Sequence, residues 1–372
     1  MGDDVPLRNC IRERRAAKNL TVERLAQEIG ITRQSLWMIE SSKVSPNATV
    51  ALRLARVLDT TVERLFWEED DLLTAHFVGS SEWDLQEPNR AYLAKIEGRA
   101  VARIMSDKNG YGRLVSSAQG VVRSLLKDSQ QVQVEVLGNL ERLDNTVFIS
   151  GCDLGLGLFS AYTRHKYRQG EGIWFNVTNQ AALQELARGE THVAAIHLNA
   201  QDNNWNVPDW VLRDCHQYLF ASEQIGWILP RGNPRGFREP SDLHSGTFKL
   251  VNRPPGAGAR AVLDQVLRVA NVNTEVIPGY YTYANGHYEV AEMVSRGLAD
   301  VGVGHASAAA LLGLDFISIH EEQCWLVVPK AYEQLNPVQA ALEVLHSDTF
   351  RVELQSMAPY DVQDMGHTRC RS

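Results

Sequence analysis

The sequence predicts a multidomain protein with a small all-α head, a short β-rich insert and a large two-lobed α/β domain. Three patterns lead to this prediction. Apolar residues recur at helical spacing in short segments before residue 68, and Val132, Val134 and Val136 alternate with polar residues as in a half-buried strand. From Val147 onward, short apolar strands alternate with helical segments, which is typical of an α/β domain.

The length and composition of the chain limit the classes of protein to which it can belong. A chain of 372 residues with 44% hydrophobic residues is long enough for two or three separate cores. It contains no apolar run of membrane-spanning length and starts with acidic residues, so we expect a cytoplasmic protein that does not bind membranes. Because the cysteines are scattered and odd in number, we expect neither a disulfide framework nor a bound metal. They are Cys10, Cys152, Cys215, Cys324 and Cys370.

Residues 1–68 are predicted to form the all-α head. A first helix is expected over residues 8–18. Apolar residues at helical intervals mark a second helix, and Gly30 after it can take the positive φ that ends a helix. Thr32 can then cap a third helix, and a further helix is expected after Pro46-Asn47. The pattern is a helix, a sharp turn and a second helix, closed by its neighbours.

The third helix is predicted to have one buried and one exposed face. Leu36 and Ile39 are three residues apart and face inward, while Arg33, Gln34 and Trp37 lie toward the other side. In the major groove of DNA, Arg can donate two hydrogen bonds to guanine and Gln can pair with adenine. The exposed face therefore suits the reading of base edges.

Residues 8–66 resemble the lambda-repressor and Cro type of helix-turn-helix domain, the XRE family, in the order and length of their helices. The resemblance implies a double-stranded DNA operator as partner, and a homodimer, because such heads usually bind paired half-sites. Residues 8–56 contain ten basic residues and only four acidic ones, although the whole chain carries a net charge of −8. Contacts with DNA phosphates require such a local excess of positive charge. The alternative is a helical bundle that binds another protein. The expected DNA-binding residues are Thr21, Arg33, Gln34, Trp37 and Lys43.

The middle of the chain shows weaker patterns. Residues 69–88 follow an acidic run and lack clear periodicity, so we interpret them as a linker. Residues 89–146 are predicted to form a β-rich connector. Its strands are expected over residues 91–105 and 111–122, around the turn Asp107-Lys-Asn-Gly110.

Two segments of the remaining chain repeat each other with a constant offset of 108 residues. Each contains the end of a helix, a glycine stop and a buried strand. Such a period is too long for a solenoid unit, and it indicates two similar lobes. The matching pairs are Arg188 and Arg296, Gly189 and Gly297, Val193 and Val301, and His197 and His305.

The two lobes are expected to be joined by crossing strands. Residues 226–231 and 324–330 are apolar, begin near Trp and end in Pro plus a basic residue. In a clamshell, such strands carry the chain out of one lobe and back, and they act as hinges. The predicted bounds are about 147–224 with 318–366 for lobe I, and about 230–316 for lobe II.

Residues 147–366 resemble the periplasmic-binding-protein-like sensor domain of bacterial regulators, which is similar to molybdate-type (type II) solute-binding proteins. The resemblance implies a ligand-sensing domain with a cleft between its lobes. It depends on the order of several short segments rather than on any one of them. These are Ser150-Gly-Cys-Asp153, Thr178-Asn-Gln180, His192 to Leu198, Val251 to Arg260, Gly297 to Gly302, and Tyr360-Asp361.

The expected ligand site lies beyond the carboxyl ends of the strands, where loops lead into helix N-termini that attract anions. Histidines at strand ends would point toward the opening. Each feature alone is usually structural, because a strand-end histidine is commonly a satisfied polar group. The expected ligand-binding residues are Ser150, Cys152, Asp153, Thr178, Asn179, His197, Asn252, Arg253, Gly256, Gly258, Arg260, Tyr283, His287 and His305.

The chemistry of the ligand is narrowed by residues 256–260. Family members often carry Gly-Ser-Gly-Thr-Arg where this chain has Gly-Ala-Gly-Ala-Arg, so two hydroxyl donors are missing. A bare oxyanion needs many donors, and an anionic or aromatic organic ligand is therefore expected instead. The Tyr-rich segment 279–288 and Trp205 could stack on such a ligand. These aromatic residues could equally pack a hinge or a subunit interface.

We interpret the chain as a ligand-responsive transcription regulator without enzymatic activity or a cofactor. One alternative is a sensor or enzyme that binds an NAD-type dinucleotide, because residues 256–261 fit Gly-x-Gly-x-x-Ala and Glu275 follows at a suitable distance. A second is a hydrolase that uses Ser150, Cys152 or Asp153 with His197. Neither a Gly-x-Ser-x-Gly elbow nor metal-ligand spacing supports catalysis.

Overall fold

The computed structural model describes most of the chain, and the following statements concern those residues. They divide into two compact units, residues 1–93 with 102–139, and residues 94–101 with 140–372. Each unit is described by itself. The described ranges are 7–67, 72–79, 89–105, 117–126, 129–137, 140–166, 171–200 and 207–369.

The head contains five helices between two very short strands. The strands pair antiparallel, with Arg8 opposite Trp67. The helix predicted from residue 8 therefore begins later, at Ile11, because residues 8 and 9 are extended to pair with the end of the head. The elements are β1 (Arg8–Asn9), α1 (Ile11–Ala17), α2 (Val22–Ile29), α3 (Arg33–Glu40), α4 (Ala48–Val57), α5 (Val62–Leu65) and β2 (Phe66–Trp67).

Local interactions define the turn between α2 and α3 as predicted. Gly30 ends α2 in the left-handed conformation, with φ of 75°. The Thr32 hydroxyl begins α3 by accepting a hydrogen bond from the Ser35 N–H at 3.0 Å. Leu36 and Ile39 face the core of the head, which is formed by buried residues of α1 to α5. The predicted inward face of α3 is thus confirmed.

A closed five-stranded barrel follows, with strand order β3-β5-β4-β6-β7. The stretch interpreted as a linker contains β3. The stretch expected to be one strand over 91–105 is a hairpin, because Glu97 and Gly98 both adopt positive φ and turn the chain. The predicted turn at 107–110 lies outside the described residues. The strands are β3 (Leu72–Val78), β4 (Asn89–Ile96), β5 (Arg99–Ile104), β6 (Gly120–Leu126) and β7 (Gln131–Val136).

The rest of the second unit alternates strands and helices. No described helix is long and apolar enough to cross a membrane. The elements are α6 (Glu141–Asp144), β8 (Thr146–Gly151), α7 (Gly155–Lys166), β9 (Glu171–Asn176), α8 (Asn179–Ala187), β10 (Val193–Asn199), α9 (Asp209–Asp214), β11 (Cys215–Leu229), β12 (Leu250–Val251), α10 (Gly258–Val269), α11 (His287–Ser295), β13 (Val301–His305), α12 (Ala306–Leu311), β14 (Asp315–Pro329), α13 (Asn336–Val344) and α14 (Asp348–Met357).

These strands form one seven-stranded sheet with the order β12-β13-β11-β14-β10-β8-β9. The prediction of parallel strands holds for β8 with β9 and β10, and for β12 with β13. The two central strands, β11 and β14, are 15 residues each and pair antiparallel along their whole length. β10 pairs with the C-terminal half of β14, and β13 pairs with the C-terminal half of β11. Both central strands therefore cross from one lobe to the other. The predicted crossing segments, 226–231 and 324–330, include the C-terminal ends of these strands, which pair with β13 and β10 after the crossing.

The sequence repeat corresponds to a structural repeat. Gly189 after α8 and Gly297 after α11 have φ of 63° and 69°, which stops both helices in the same way. Buried strands β10 and β13 then follow. Separate apolar cores pack on the two sides, one around α8 and β10 and one around α10 and β13. The repeat thus places equivalent residues at equivalent positions of two lobes.

Candidate ligand cleft and DNA-binding face

The two repeated histidines, His197 and His305, meet where the lobes adjoin. His197 lies on β10 and His305 ends β13, and their ring centroids are 4.2 Å apart with planes tilted by 55°. Both side chains are buried. Asn179, at the start of α8, fixes the His197 backbone through hydrogen bonds of 2.9 Å from its Nδ2 to His197 O and 3.2 Å from His197 N–H to its Oδ1. One histidine from each lobe therefore enters a single buried cluster.

Asp153, in the loop between β8 and α7, is the acidic partner of His197. Its Oδ2 lies 3.0 Å from His197 Nε2. Its Oδ1 accepts hydrogen bonds from the Gly155 N–H at 2.7 Å and from the Tyr360 hydroxyl at 2.9 Å. Because both carboxylate oxygens are engaged, Asp153 has a fixed position and orients the imidazole.

His305 lies between two glutamates. Glu223 on β11 and Glu322 on β14 are cross-strand partners. A carboxylate oxygen of Glu223 lies 2.9 Å from His305 Nδ1, and one of Glu322 lies 3.0 Å from Nε2. Burial is the largest single effect and would lower the pKa of His305, but the charge of Glu223 and the hydrogen bonds to Glu223 and Glu322 together raise the pKa to about 9. His305 is thus an imidazolium near neutral pH.

The Asp153–His197 pair is also charged. Burial would raise the pKa of Asp153, but the hydrogen bond and charge of His197 bring the pKa below its usual value. Burial lowers the pKa of His197, yet Cys324 and Asp153 raise it well above the ordinary value. Since burial raises the pKa of the Cys324 thiol to about 12, this thiol is neutral near pH 7. Asp153 is therefore the partner that keeps His197 protonated.

Cys152 lies between two imidazoles. Its Sγ is 3.7 Å from His197 Nδ1 and 3.6 Å from His287 Nε2. Burial would raise the pKa of this thiol, but the hydrogen bond to His197, together with nearby positive charge, lowers it below its ordinary value. The cleft thus contains a buried thiol with increased acidity.

Two adjoining cavities lie at these residues. The small cavity, about 10 Å³, adjoins the histidines. The large pocket, about 730 Å³, extends from it along α8 and α10, and the two share Asn179, Ala257 and Gly258. The small cavity is lined by Cys152, Thr178, Asn179, His197, Arg253, Ala257, Gly258, Ala259, His287, His305 and Glu322.

The structure brings together most of the residues that the sequence singles out. Eight of the expected ligand residues line the small cavity, and Asp153 lies behind it against His197. Gly256 and Arg260 line only the large pocket. The eight are Cys152, Thr178, Asn179, Arg253, Gly258, His197, His287 and His305.

Besides Asp153, three expected ligand residues do not line either cavity. The Ser150 hydroxyl donates to Glu185 Oε2 at 2.5 Å inside lobe I. Asn252 Nδ2 donates to Tyr280 O at 3.0 Å and supports a loop. Tyr283 is 42% exposed, and Arg260 lies over its ring. Ser150 and Asn252 are therefore held by hydrogen bonds to other groups, and Tyr283 contacts the pocket through Arg260.

Sequence reasoning missed Glu223 and Glu322. They lie within long strands rather than in strand-to-helix loops, so a search limited to loops does not find them. The signal was an acidic residue in the middle of a long strand with apolar ends, since a buried carboxylate needs a charged or hydrogen-bonding partner. Trp210 and Asp264, which line the large pocket, were also missed.

The expected DNA-binding residues lie at the start of α2 and along and after α3. Arg33 and Gln34 are exposed at the start of α3, and Trp37 is 52% exposed on the same helix. Lys43 Nζ lies 4.4 Å above the Trp37 ring. The Thr21 hydroxyl caps α2 by accepting a hydrogen bond from the Arg24 N–H. An exposed apolar ring beside two cations is available to a partner on this face.

Comparisons with known proteins match both units. The model of the PBP superfamily domain matches residues 160–346, half of the chain, and a helix-turn-helix model matches residues 11–65. The uncharacterized protein YvgK of Bacillus subtilis is 28% identical over 226 residues, covering 59% of this chain and 72% of YvgK. An uncharacterized HTH-type transcriptional regulator of Archaeoglobus fulgidus is 36% identical over 67 residues, covering 18% of this chain and 96% of the regulator.

Solved structures of similar fold include a substrate-binding protein from Clostridium perfringens that is assigned to phosphate ABC transport and holds bound phosphate. It is 12% identical and covers 57% of this chain and 98% of its own, with a TM-score of 0.46. An amino acid ABC transporter substrate-binding protein from Streptococcus pneumoniae bound to L-arginine is 8% identical. It covers 58% of this chain and 95% of its own, with a TM-score of 0.40.

Proposed function

The chain belongs to the PBP superfamily domain family and carries an XRE-type helix-turn-helix DNA-binding domain, and from this premise we propose that an organic anion bound between its lobes controls its affinity for an operator. The observation that carries the proposal is the pair of adjoining cavities. One is small and lined by imidazoles, a buried guanidinium and helix N-termini, and the other is large and mostly apolar.

The small cavity suits the anionic group of the ligand. Residues at or next to the first turns of α8, α10 and α11 line it, and helix N-termini present unbonded N–H groups and positive dipole ends. The buried Arg253 guanidinium adds a full positive charge. Because the volume is about 10 Å³, the group that enters must be small, or the lobes must separate to admit it. A carboxylate or phosphate group is larger than this volume, so the lobes would have to separate to admit it.

The large pocket suits the organic part of the ligand. Leu183, Leu198, Val207 and Trp210 supply an apolar wall, and the volume of about 730 Å³ is in the range of small-molecule sites. The Arg260 guanidinium lies in this pocket but is neutralised by the Asp264 carboxylate at 2.9 Å. The wall therefore favours a ring or hydrocarbon over a second anionic group.

Ligand binding would act on the operator by favouring one arrangement of the lobes. A ligand shifts such an equilibrium only as far as it binds one arrangement more tightly than the other. A homodimer that binds paired half-sites is part of this proposal, since one short recognition helix gives limited specificity. Sedimentation of the full-length protein with and without operator DNA tests the dimer.

The experiment that tests the ligand site begins with the full-length protein purified from its own host. Native mass spectrometry is expected to show a retained organic anion, and removing it should change operator affinity. Ala261→Trp should abolish retention, because Ala261 lines the large pocket and is itself exposed, so the added ring fills the pocket without disturbing a core. Val269→Trp, on the same helix and 77% exposed, is the matched control. Retention by Ala261→Trp at wild-type level would contradict the proposal.

One observation favours the hydrolase alternative. Cys152, His197 and Asp153 form a thiol–imidazole–carboxylate series, with distances of 3.7 Å and 3.0 Å. We rank it second because the cavity beside the thiol is about 10 Å³ and Cys152 is only 6% exposed, which leaves little room for a substrate. Screening for ester or amide turnover, with Cys152→Ala as the control, decides between the two. Turnover lost in Cys152→Ala would favour the hydrolase.

A further inference from the structure

Four buried side chains with metal-ligating atoms converge behind the small cavity. Asp153 follows β8, His197 lies on β10, Glu223 on β11 and His305 at the end of β13. One nitrogen or carboxylate oxygen from each lies within 4.8 Å of the other three. We propose that this buried cluster of Asp153, His197, Glu223 and His305 binds one divalent transition-metal ion of the Zn²⁺ class.

The spacing of the donor atoms fits a single ion. His197 Nε2 and Asp153 Oδ2 are 3.0 Å apart, and His305 Nδ1 and Glu223 Oε1 are 2.9 Å apart. Metal–ligand lengths of about 2.0–2.2 Å place neighbouring ligands roughly 3.0–3.4 Å apart. Each pair already has the spacing of two adjacent ligands. Binding requires that each pair lose the proton between its nitrogen and oxygen and that the two pairs approach each other, and the largest separation in the set is within 4.8 Å.

The ligands are held from outside by further hydrogen-bonding groups. Asp153 Oδ1 accepts from Tyr360, and Glu223 Oε2 accepts from the Ser307 N–H at 3.2 Å. The imidazoles are held in the same way. Metal-binding histidines commonly use one ring nitrogen for the metal and the other for such a partner.

For His197 the outer partner is Cys152, whose Sγ lies 3.7 Å from Nδ1, opposite the nitrogen that faces Asp153. For His305 it is Glu322, 3.0 Å from Nε2, opposite the nitrogen that faces Glu223. Each ring therefore turns one nitrogen into the cluster and has the other restrained. This arrangement leaves both rings oriented for a shared ion.

The charges of the site favour a cation. Three buried carboxylates, those of Asp153, Glu223 and Glu322, lie near one buried guanidinium, that of Arg253. Buried carboxylates are costly unless they are paired or coordinate a metal. Without a metal, the two protonated imidazoles balance this set. A divalent ion supplies the same two positive charges when it replaces one proton on each ring. Neutral imidazole together with carboxylate is a donor set that suits zinc.

Such an ion would join parts of the domain that are otherwise linked by the crossing strands. Asp153 and His197 belong to lobe I, His305 ends a strand of lobe II, and Glu223 lies on the strand that runs through both. The ion would therefore favour the closed arrangement of the lobes. The inference does not depend on the proposed organic ligand, because it is tested with Zn²⁺ alone.

The test uses the full-length protein after removal of metal with a chelator. Equilibrium dialysis against ZnCl₂ followed by elemental analysis should give one tightly bound Zn²⁺ per chain. His305→Ala and Asp153→Asn should each weaken this binding by about 100-fold or more. His216→Ala is the matched control, since His216 on β11 is also paired with a carboxylate, that of Glu333 at 2.9 Å, but lies outside the cluster. It should bind zinc like the wild type.

X-ray absorption at the zinc edge of the wild-type protein gives a second measurement that needs no variant to fold. It should show nitrogen and oxygen donors at about 2.0–2.1 Å, with two imidazoles and no sulfur at about 2.3 Å. Failure to retain zinc, zinc bound by sulfur, or wild-type affinity in a folded His305→Ala variant would each overturn the proposal. The organic-ligand proposal would stand in all three cases, because no organic compound enters the measurement.

Discussion

His287 at the start of α11 stacks on His305 at the end of β13, with ring centroids 3.7 Å apart and planes within 11° of parallel. The two rings differ in charge. Burial, and after it the charge of His305, lowers the pKa of His287 well below its ordinary value, whereas Glu223 raises that of His305 to about 9 despite burial. A neutral ring therefore covers a charged one, and this relationship accounts for their close contact.

The stack predicts how position 287 responds to charge. His287→Arg places a second buried cation against the His305 imidazolium without an acidic partner, so it should lower the free energy of unfolding by about 3 kcal/mol. His287→Phe keeps a neutral ring and should cost less than about 1.5 kcal/mol. Urea unfolding at pH 7 followed by circular dichroism measures both. Equal stability of the two variants would show that His287 is not held neutral by His305.

His192 predicts a dependence of stability on pH. It is fully buried, its Nδ1 accepts from the Phe148 N–H at 3.0 Å, and burial lowers its pKa to about 4. The unfolded chain has the ordinary pKa of about 6.5, so as pH falls from about 6.5 to 4 the unfolded state takes up a proton that the folded state does not. The folded state should lose about 3 kcal/mol over this window.

The contribution of His192 is separated from those of other groups by a variant. His192→Gln has no titrating ring, so the difference in unfolding free energy between wild type and variant should change between pH 7 and pH 4 and be constant outside that window. Urea unfolding at several pH values gives this difference. A difference independent of pH would contradict the low pKa.

Arg33 and Lys43 should affect DNA binding differently. Arg33→Ala should cost about 1–3 kcal/mol of operator affinity and relax the preference at one base pair, because an arginine at the start of the recognition helix reads a base edge. Its ion pair with Glu23, 2.9 Å long, has both side chains more than half exposed and offers little resistance to DNA. Lys43→Ala should weaken all sequences similarly. Binding to an operator selected from random DNA, and to variants of it, measures both effects.

Gly226 should tolerate no side chain. A Cβ at this position on β11 would overlap the Ile317 carbonyl and the Phe316 ring on β14. Gly226→Ala should therefore destabilise the second unit by about 1–3 kcal/mol. Gly157→Ala, in α7, meets only ordinary contacts with Trp174 and should be neutral or stabilising by up to about 1 kcal/mol. Denaturant unfolding of the two variants beside the wild type checks the contrast.

Sequence reasoning succeeded where the local pattern and the fold impose the same requirement. Gly189 and Gly297 end equivalent helices, and the strands that follow carry His197 and His305 at equivalent positions, although β10 continues for two residues beyond His197 and only His305 ends its strand. The repeat thus predicted that His197 and His305 share a site. The turn at Gly30 and Thr32 was predicted for the same reason, because Gly30 ends one helix with a positive φ and Thr32 caps the next helix.

Reasoning from the sequence failed where contacts join distant positions. The donors of the proposed metal site lie on four separate elements, so a search of the sequence for closely spaced ligands does not bring them together. Glu97 adopts positive φ although it is not glycine, so the sequence did not indicate the turn between β4 and β5. Arg8 and Asn9 form a strand only because residues 66 and 67 lie beside them.

The paired strands β11 and β14 form a ribbon that determines how the clamshell can move. Their pairing continues across both lobes, with irregularities at Leu219/Ala221 and at Ile225/Gly226. Sliding one lobe past the other would break this ladder at many places at once, whereas twisting at an irregular step leaves almost all of its bonds intact. The lobes therefore rotate more readily than they slide, and the steps at which the ribbon can twist lie on either side of Glu223.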